Sequence, residues 1–148
     1  FFTLSQQLAG ASFDEIDRIG EIDYEGFVGY FDKFSWEEQL AEYERKLMGT
    51  SATLKVSHSS NSHELWVSAM GNKEDFIFIL GFIYPKIRKS FFGLGKSAAY
   101  LWMQMYLCAN RSLVIQCFQY FFEERRRMLE IELNTLRSFG EQEPYPLY

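Results

Sequence analysis

Two histidines and two cysteines in 148 residues leave little material for a metal centre or a disulfide framework. Catalytic zinc ordinarily takes three protein ligands, and small disulfide-stapled domains carry far more cysteine. Cys108 and Cys117 stand nine positions apart in a stretch that reads as helical. Helical rise then separates them by about 13 Å, too far for a disulfide, so they read as reduced core residues. Proline is as scarce, three residues with two of them in the last nine, which excludes a collagen-like chain. No apolar run reaches the roughly 20 residues of a membrane-spanning helix. No charged start, apolar centre and small-residue cleavage site mark a signal peptide, so a reducing cytoplasmic location without membrane attachment is expected.

Positive charge is also thin where the chain begins. Residues 1–50 hold eleven acidic residues against four basic ones, a net −7, whereas the remainder carries a net +2. A face of that sign repels phosphate backbones and attracts basic partners, which argues against direct nucleic-acid binding. The plain alternative is a solvated, solubilising face.

Aromatic residues are abundant: fifteen Phe and nine Tyr must either fill a dense core or stand on a binding surface. The densest stretch, FIFILGFIY at Phe76–Tyr84, is bounded by Lys73-Glu74-Asp75 and Pro85. It is short and apolar on every position but one glycine, the pattern of a core strand with both faces covered.

Around that strand the spacing predicts an α+β fold, in which an antiparallel meander of three or more strands packs against an N-terminal helix and two C-terminal helices. A single domain over 1–148 is expected, with 1–10 and 140–148 loosely attached. Phe13, Ile16, Ile19 and Ile22 at three-residue steps, opened by Ser12 with Glu15 three residues on, predict a helix of about two turns. Gly20, Gly26 and Gly29 argue against its continuing, so loop or irregular strand follows. Ser35-Trp36-Glu37-Glu38 opens a second helix whose Trp36, Leu40, Tyr43 and Leu47 form one apolar stripe and which Gly49 closes. Thr53–His58 and His63–Met70, separated by the Ser59-Ser60-Asn61-Ser62 turn, lead into the central strand. Ser97 to Leu136 reads as helical, with Asn110-Arg111-Ser112 as the break between two helices.

No catalytic constellation emerges, and no cofactor is expected. Gly95-Lys96-Ser97 resembles the end of a phosphate-binding loop, but the pattern requires a glycine five residues before Gly95, where Ser90 stands. His58 and His63 flank the serine-rich turn without a third ligand and read as solvent-exposed turn residues. Arg125-Arg126-Arg127 fan over about 200° of a helix and lie among Glu123, Glu124, Glu130 and Glu132, a salt-bridged solvent face.

Three segments carry a family resemblance: Tyr30-Phe31-Asp32-Lys33-Phe34-Ser35-Trp36-Glu37-Glu38-Gln39, Ser51-Ala52-Thr53-Leu54-Lys55-Val56 and Leu65-Trp66-Val67-Ser68-Ala69. Over about residues 30–135 the chain resembles the small immunity proteins encoded beside bacterial polymorphic and contact-dependent toxins. The resemblance implies a cytosolic, non-enzymatic protein that binds one cognate toxin domain and blocks its active site or its access to substrate. It transfers no catalytic residue. The expected contact surface, chosen by charge and aromatic content, is Asp14, Asp17, Glu21, Asp23, Tyr24, Glu25, Tyr30 and Asp32. Reversal of Asp23 and Glu25 to Lys is expected to weaken binding. The competing classes are a small-ligand-binding or enzymatic domain with a pocket between sheet and helices, and a homodimer that buries its surplus aromatics.

Overall fold

The computed structural model describes residues 1–88 and 98–144. The phosphate-loop fragment Gly95-Lys96-Ser97 lies outside these residues. Among the described residues seven strands form one antiparallel sheet: β1 (Phe2–Gln7), β2 (Asp17–Glu21), β3 (Thr53–His58), β4 (Glu64–Asn72), β5 (Asp75–Arg88), β6 (Ala98–Cys108) and β7 (Arg137–Gln142). Their spatial order is β2-β1-β3-β4-β5-β6-β7. Helices α1 (Tyr24–Lys33), α2 (Trp36–Lys46), α3 (Arg111–Phe122) and α4 (Arg126–Asn134) complete the fold. The expected α+β meander with packed helices is present, and the sheet is wider than the three strands read from the sequence.

The core forms on one face of the sheet. Leu54, Val56, Leu65, Val67, Leu80 and Phe82 alternate toward it from β3, β4 and β5, and all are buried. Phe27 and Phe31 of α1 and Phe118 of α3 meet them, with Phe27 stacked on Phe118 at 4.1 Å between ring centroids. On the opposite face of β5 stand Ile77, Ile79 and Ile83, with Gly81 between them. The Trp66 indole lies across Gly81 so closely that an added Cβ would sit 1.9 Å from Trp66 Cε2. Trp66 Nε1 donates to Met103 Sδ at 3.3 Å, tying β4 to β6 over β5. The central strand is therefore covered on both faces, as its composition requires.

Several local expectations are corrected. The helix from Ser12 does not form. Ser12 Oγ does reach Glu15 Oε1 at 2.6 Å, but the backbone closes only a turn, Glu15 N–H to the Ser12 carbonyl at 3.0 Å. Gly20 has φ +133, a value no helix accommodates, and Asp17–Glu21 pairs with β1 instead. The helix lies further on, across the two glycines that argued against it. Asp23 caps α1 by accepting the Gly26 N–H at 2.7 Å, and Phe27 and Phe31, four residues apart, are fully buried. Two helical glycines cost about 2 kcal/mol relative to alanine. Burying two phenylalanines contributes about 3–6 kcal/mol, so the helix wins.

The stretch from Ala98 to Cys108 is a strand and not a helix. It pairs with β5 over eleven positions, from Phe78 opposite Cys108 to Arg88 opposite Ala98. Its two faces carry Trp102, Gln104 and Tyr106 on one side and Leu101, Met103 and Met105 on the other, so no polar alternation reveals it, and Leu, Met and Gln are good helix formers. Cys108 thus ends a strand while Cys117 lies in α3, and both are buried free thiols. Asn110 begins α3, its side chain accepting the Ser112 N–H at 2.8 Å. The break between helices falls at Glu123–Arg125, where Glu124 takes φ +56. Pro85 does not end β5. It pairs with Leu101 beyond the point where β4 stops, at Ile83, so the strand has one neighbour there and tolerates the missing N–H. Residues 1–10 are not loosely attached either: β1 sits between β2 and β3, and Leu4 is fully buried.

Candidate functional site

The acidic leading segment folds into the β2–α1 corner of the molecule. β2 ends at Glu21, Ile22 turns the chain with its N–H bound to the Phe2 carbonyl at 3.0 Å, and Asp23 starts α1. These turns place Glu21, Asp23 and Tyr24 around an open groove of about 690 Å³. Phe1, Phe2, Ile22, Gly26 and Phe122 supply its apolar wall, and Glu123 adds a third carboxylate. The wall is braced from beneath by ring contacts of Phe2 with Phe122 at 4.8 Å and of Tyr24 with Phe122 at 6.3 Å. The result is an aromatic floor with carboxylates at its rim.

The eight residues expected to form the contact surface divide into two sets. Glu21, Asp23 and Tyr24 line the groove, and exposed Glu25 follows them in the first turn of α1. Among the described residues, Glu21, Asp23 and Glu25 form no ion pair. Asp14 stands on the exposed β1–β2 turn, within 2.8 Å of Ser12 Oγ. Asp17 and Tyr30 are bound into the scaffold through Gln6, which donates to Asp17 Oδ2 at 3.5 Å and accepts from the Tyr30 hydroxyl. Burial, and then the Asp17 charge, push the Tyr30 phenol above its ordinary range. Asp32 pairs with Arg111 at the start of α3, and the same guanidinium lies 5.0 Å from the Phe31 ring. Asp17, Tyr30 and Asp32 thus serve the structure and stand apart from the groove.

Phe1, Phe2, Phe122 and Glu123 were not legible as site residues. Phe1 and Phe2 reach Glu21 through the β1–β2 ladder, in which Thr3 stands opposite Glu21, and Phe122 and Glu123 join them through the packing of Phe122 on Phe2, a contact far longer in sequence than any local window.

The two histidines are docked rather than exposed on a free turn. His58 Nδ1 accepts the Ser60 N–H at 3.1 Å, which leaves Nε2 to carry the proton and donate to Glu124 Oε1 at 2.8 Å. Arg126 Nη1 stands 3.3 Å from His63 Nε2; a guanidinium only donates, so that nitrogen accepts and His63 is neutral. Burial, then the Arg126 charge and the neighbouring His58, hold His63 below the usual histidine range, with Glu130 opposing them. The β3–β4 turn is thereby fastened to the α3–α4 turn.

A second cavity, about 230 Å³, lies between α2 and the end of β4, lined mainly by Trp36, Leu40, Tyr43, Ala52, Ala69 and Met70. Of its polar lining residues, Gln39 already accepts the Ala9 N–H at 2.8 Å through Oε1. Among the described residues no group of three His, Cys, Asp or Glu side chains stands close enough to hold a metal ion. No helix among them is long and apolar enough to cross a membrane. Compared with protein-family models, with curated proteins and with solved structures, the chain matches none.

Proposed function

We propose that this chain is an immunity protein, acting in the cytoplasm, which captures a cognate bacterial toxin domain in the acidic and aromatic groove of the β2–α1 corner. The observation that carries the reading is the groove itself: three carboxylates, two of them free of any ion pair among the described residues, rim a floor of Phe1, Phe2, Tyr24 and Phe122. An aromatic floor provides the desolvated anchor contacts that dominate protein interfaces. Unpaired carboxylates at its edge select a cationic partner and accelerate encounter. Such a surface suits the basic substrate cleft of a nuclease, whose phosphate contacts the carboxylates would imitate. No bond-making by this chain is required.

The test is titration of the purified chain with the toxin domain encoded beside its gene. A one-to-one complex is expected, and paired Glu21→Gln and Asp23→Asn substitutions weaken it ten-fold or more, about 1.4 kcal/mol. Asn retains the capping oxygen at position 23, so an unchanged melting temperature separates lost contact from lost fold. Undiminished affinity of the double variant removes the groove as the contact surface. The alternative of a small-ligand or enzymatic domain draws on the 230 Å³ cavity beneath α2. That cavity brings together one amide side chain and no cluster of titratable groups, and turnover of any substrate by the isolated chain would favour it.

A further inference from the structure

The sheet carries a second apolar surface, on the face turned away from the core. Alternation puts Ile77, Ile79, Ile83, Pro85 and Ile87 of β5 on that face, and the register sets Leu101, Met103, Met105 and Leu107 of β6 beside them. None of them belongs to the core cluster or packs against it. Trp66 closes the middle of the face, across Gly81 and onto Met103. To either side of the indole Met70, Leu101 and Ile87 are 39%, 42% and 70% exposed, and Ile77, Ile79, Met105 and Leu107 are half-buried. The helices give their aromatic residues to the other face, where Phe31 and Trp36 each stand 5.5 Å from the Phe78 ring. An apolar sheet face is stable when another layer covers it, and this one has the composition of an inner layer.

Size and charge together choose the cover. Ten residue steps from Ile77 to Ile87 at about 3.4 Å, across three strands spaced about 4.8 Å, make an apolar centre of roughly 480 Å². The flanking strands β3 and β7, six residues each, bring the plane to about 670 Å². A stable interface takes about 600–1,000 Å² from each partner. On β4, β5 and β6, from Met70 and Ile77 at one end to Ile87 and Ala99 at the other, this face carries one charge, Glu64, and Lys55 of β3 pairs with it at 3.5 Å. A cationic partner gains nothing here, whereas two copies of so neutral a face meet without like charges opposed. The exposure is also constant, so the cover must be present whenever the chain is, as a second copy is. We propose that this face is covered by the same face of a second copy, the two sheets stacked about 10 Å apart around a two-fold axis with the helices outermost. An apolar centre with its charges paired at the rim is the anatomy of a homodimer interface. The inference goes beyond the immunity reading and does not rest on it. The aromatic floor of the β2–α1 groove is built with α1 and α3, on the helix side of the sheet, and stays open in such a dimer.

The experiment is sedimentation velocity of the full chain from 10 nM to 100 μM, dye-labelled at the lower end. A species of twice 17.5 kDa is expected at the upper end. The Ile87→Lys, Leu101→Lys variant, whose two replaced side chains are already exposed in a single copy, should keep its far-ultraviolet circular dichroism and raise the dissociation constant a hundred-fold or more. Hydroxyl-radical footprinting of the wild type at 100 μM needs no variant. Ile87, 70% exposed in one copy, should oxidise at least three-fold more slowly than Ile131, 51% exposed on α4. A chain that stays at 17.5 kDa throughout, or faster oxidation of Ile87 than of Ile131, overturns the inference. A dimer that survives the lysine substitutions and is broken by Glu21→Gln with Asp23→Asn overturns it as well, by placing self-association at the groove.

Discussion

Gly81 is the position at which the central strand depends most sharply on a missing side chain. The substitution Gly81→Ala places a methyl group 1.9 Å from Trp66 Cε2 and 2.2 Å from Trp66 Nε1. The indole must then lift off β5, and its 3.3 Å contact with Met103 Sδ is lost with it. Met103 and Ile83 on the same face are themselves buried, at 5% and 6% exposure. Overpacking of this kind costs about 1–3 kcal/mol. For 148 residues an entropy of unfolding near 2.1 cal/mol/K per residue converts each kcal/mol to about 3 °C, so the melting temperature should fall by about 3–10 °C. Thermal unfolding followed by near-ultraviolet circular dichroism and tryptophan fluorescence reads both the stability and the displaced indole. The double variant Gly81→Ala with Trp66→Leu tests the cause, because removing the indole removes the clash and the two costs should fail to add. A single variant that melts with the wild type and keeps its near-ultraviolet spectrum would refute the packing argument.

His63 gives a pH dependence of fixed sign. Its folded pKa lies below the unfolded value near 6.5, so the unfolded chain takes up the proton first; its contribution is complete above about pH 6.5 and is lost as pH falls through that value toward the folded pKa. His63→Gln should therefore flatten the stability profile between pH 7 and 5 in denaturant titrations, and an unaltered slope would contradict the assignment. At Asp23, replacement by Ala should cost about 1 kcal/mol through loss of the α1 cap, whereas Asn should cost little; equal melting temperatures for the two variants would show the cap to be inert. Burial pushes the Cys117 thiol up to about 12, with neighbouring Cys108 and the Glu132 carboxylate adding to it, so iodoacetamide at pH 8 should label Cys117 only after unfolding. Mass spectrometry of the alkylated native chain checks this, and rapid native labelling would contradict the buried placement.

Legibility in the sequence followed the period of the pattern. Thr53–His58 alternates apolar and polar residues, one face in the core and one outward, and its bounds are those read from the residues. The second helix was visible because Trp36 and Leu40 face the core while Glu37 and Glu38 face water. Where both faces of an element are apolar the signal disappears, and Ala98–Cys108 has Met and Leu on one side and Trp, Tyr and Cys on the other. Its partner, β5, decides its state through eleven paired positions that no local window contains. The first helix was displaced for a related reason. Three-residue spacing at Phe13, Ile16, Ile19 and Ile22 imitates a helical stripe, yet Gly20 and the β1 edge fix the segment as turn and strand, and the cap belongs to Asp23. Of the candidate surface chosen by charge, Glu21 and Asp23 lie at the groove. Charge did not separate them from Asp17 and Asp32, whose partners Gln6 and Arg111 lie far off in sequence.

The central claim is that unpaired carboxylates on an aromatic floor recruit a cationic protein. The association rate constant with the neighbouring toxin domain, measured by stopped flow from 20 to 500 mM salt for the wild type and the Glu21→Gln, Asp23→Asn variant, tests it most directly. The account predicts a wild-type rate that falls steeply with salt, about ten-fold or more, and a variant rate that is slower at low salt and nearly level. Identical salt profiles for the two chains, or association independent of salt, would contradict it.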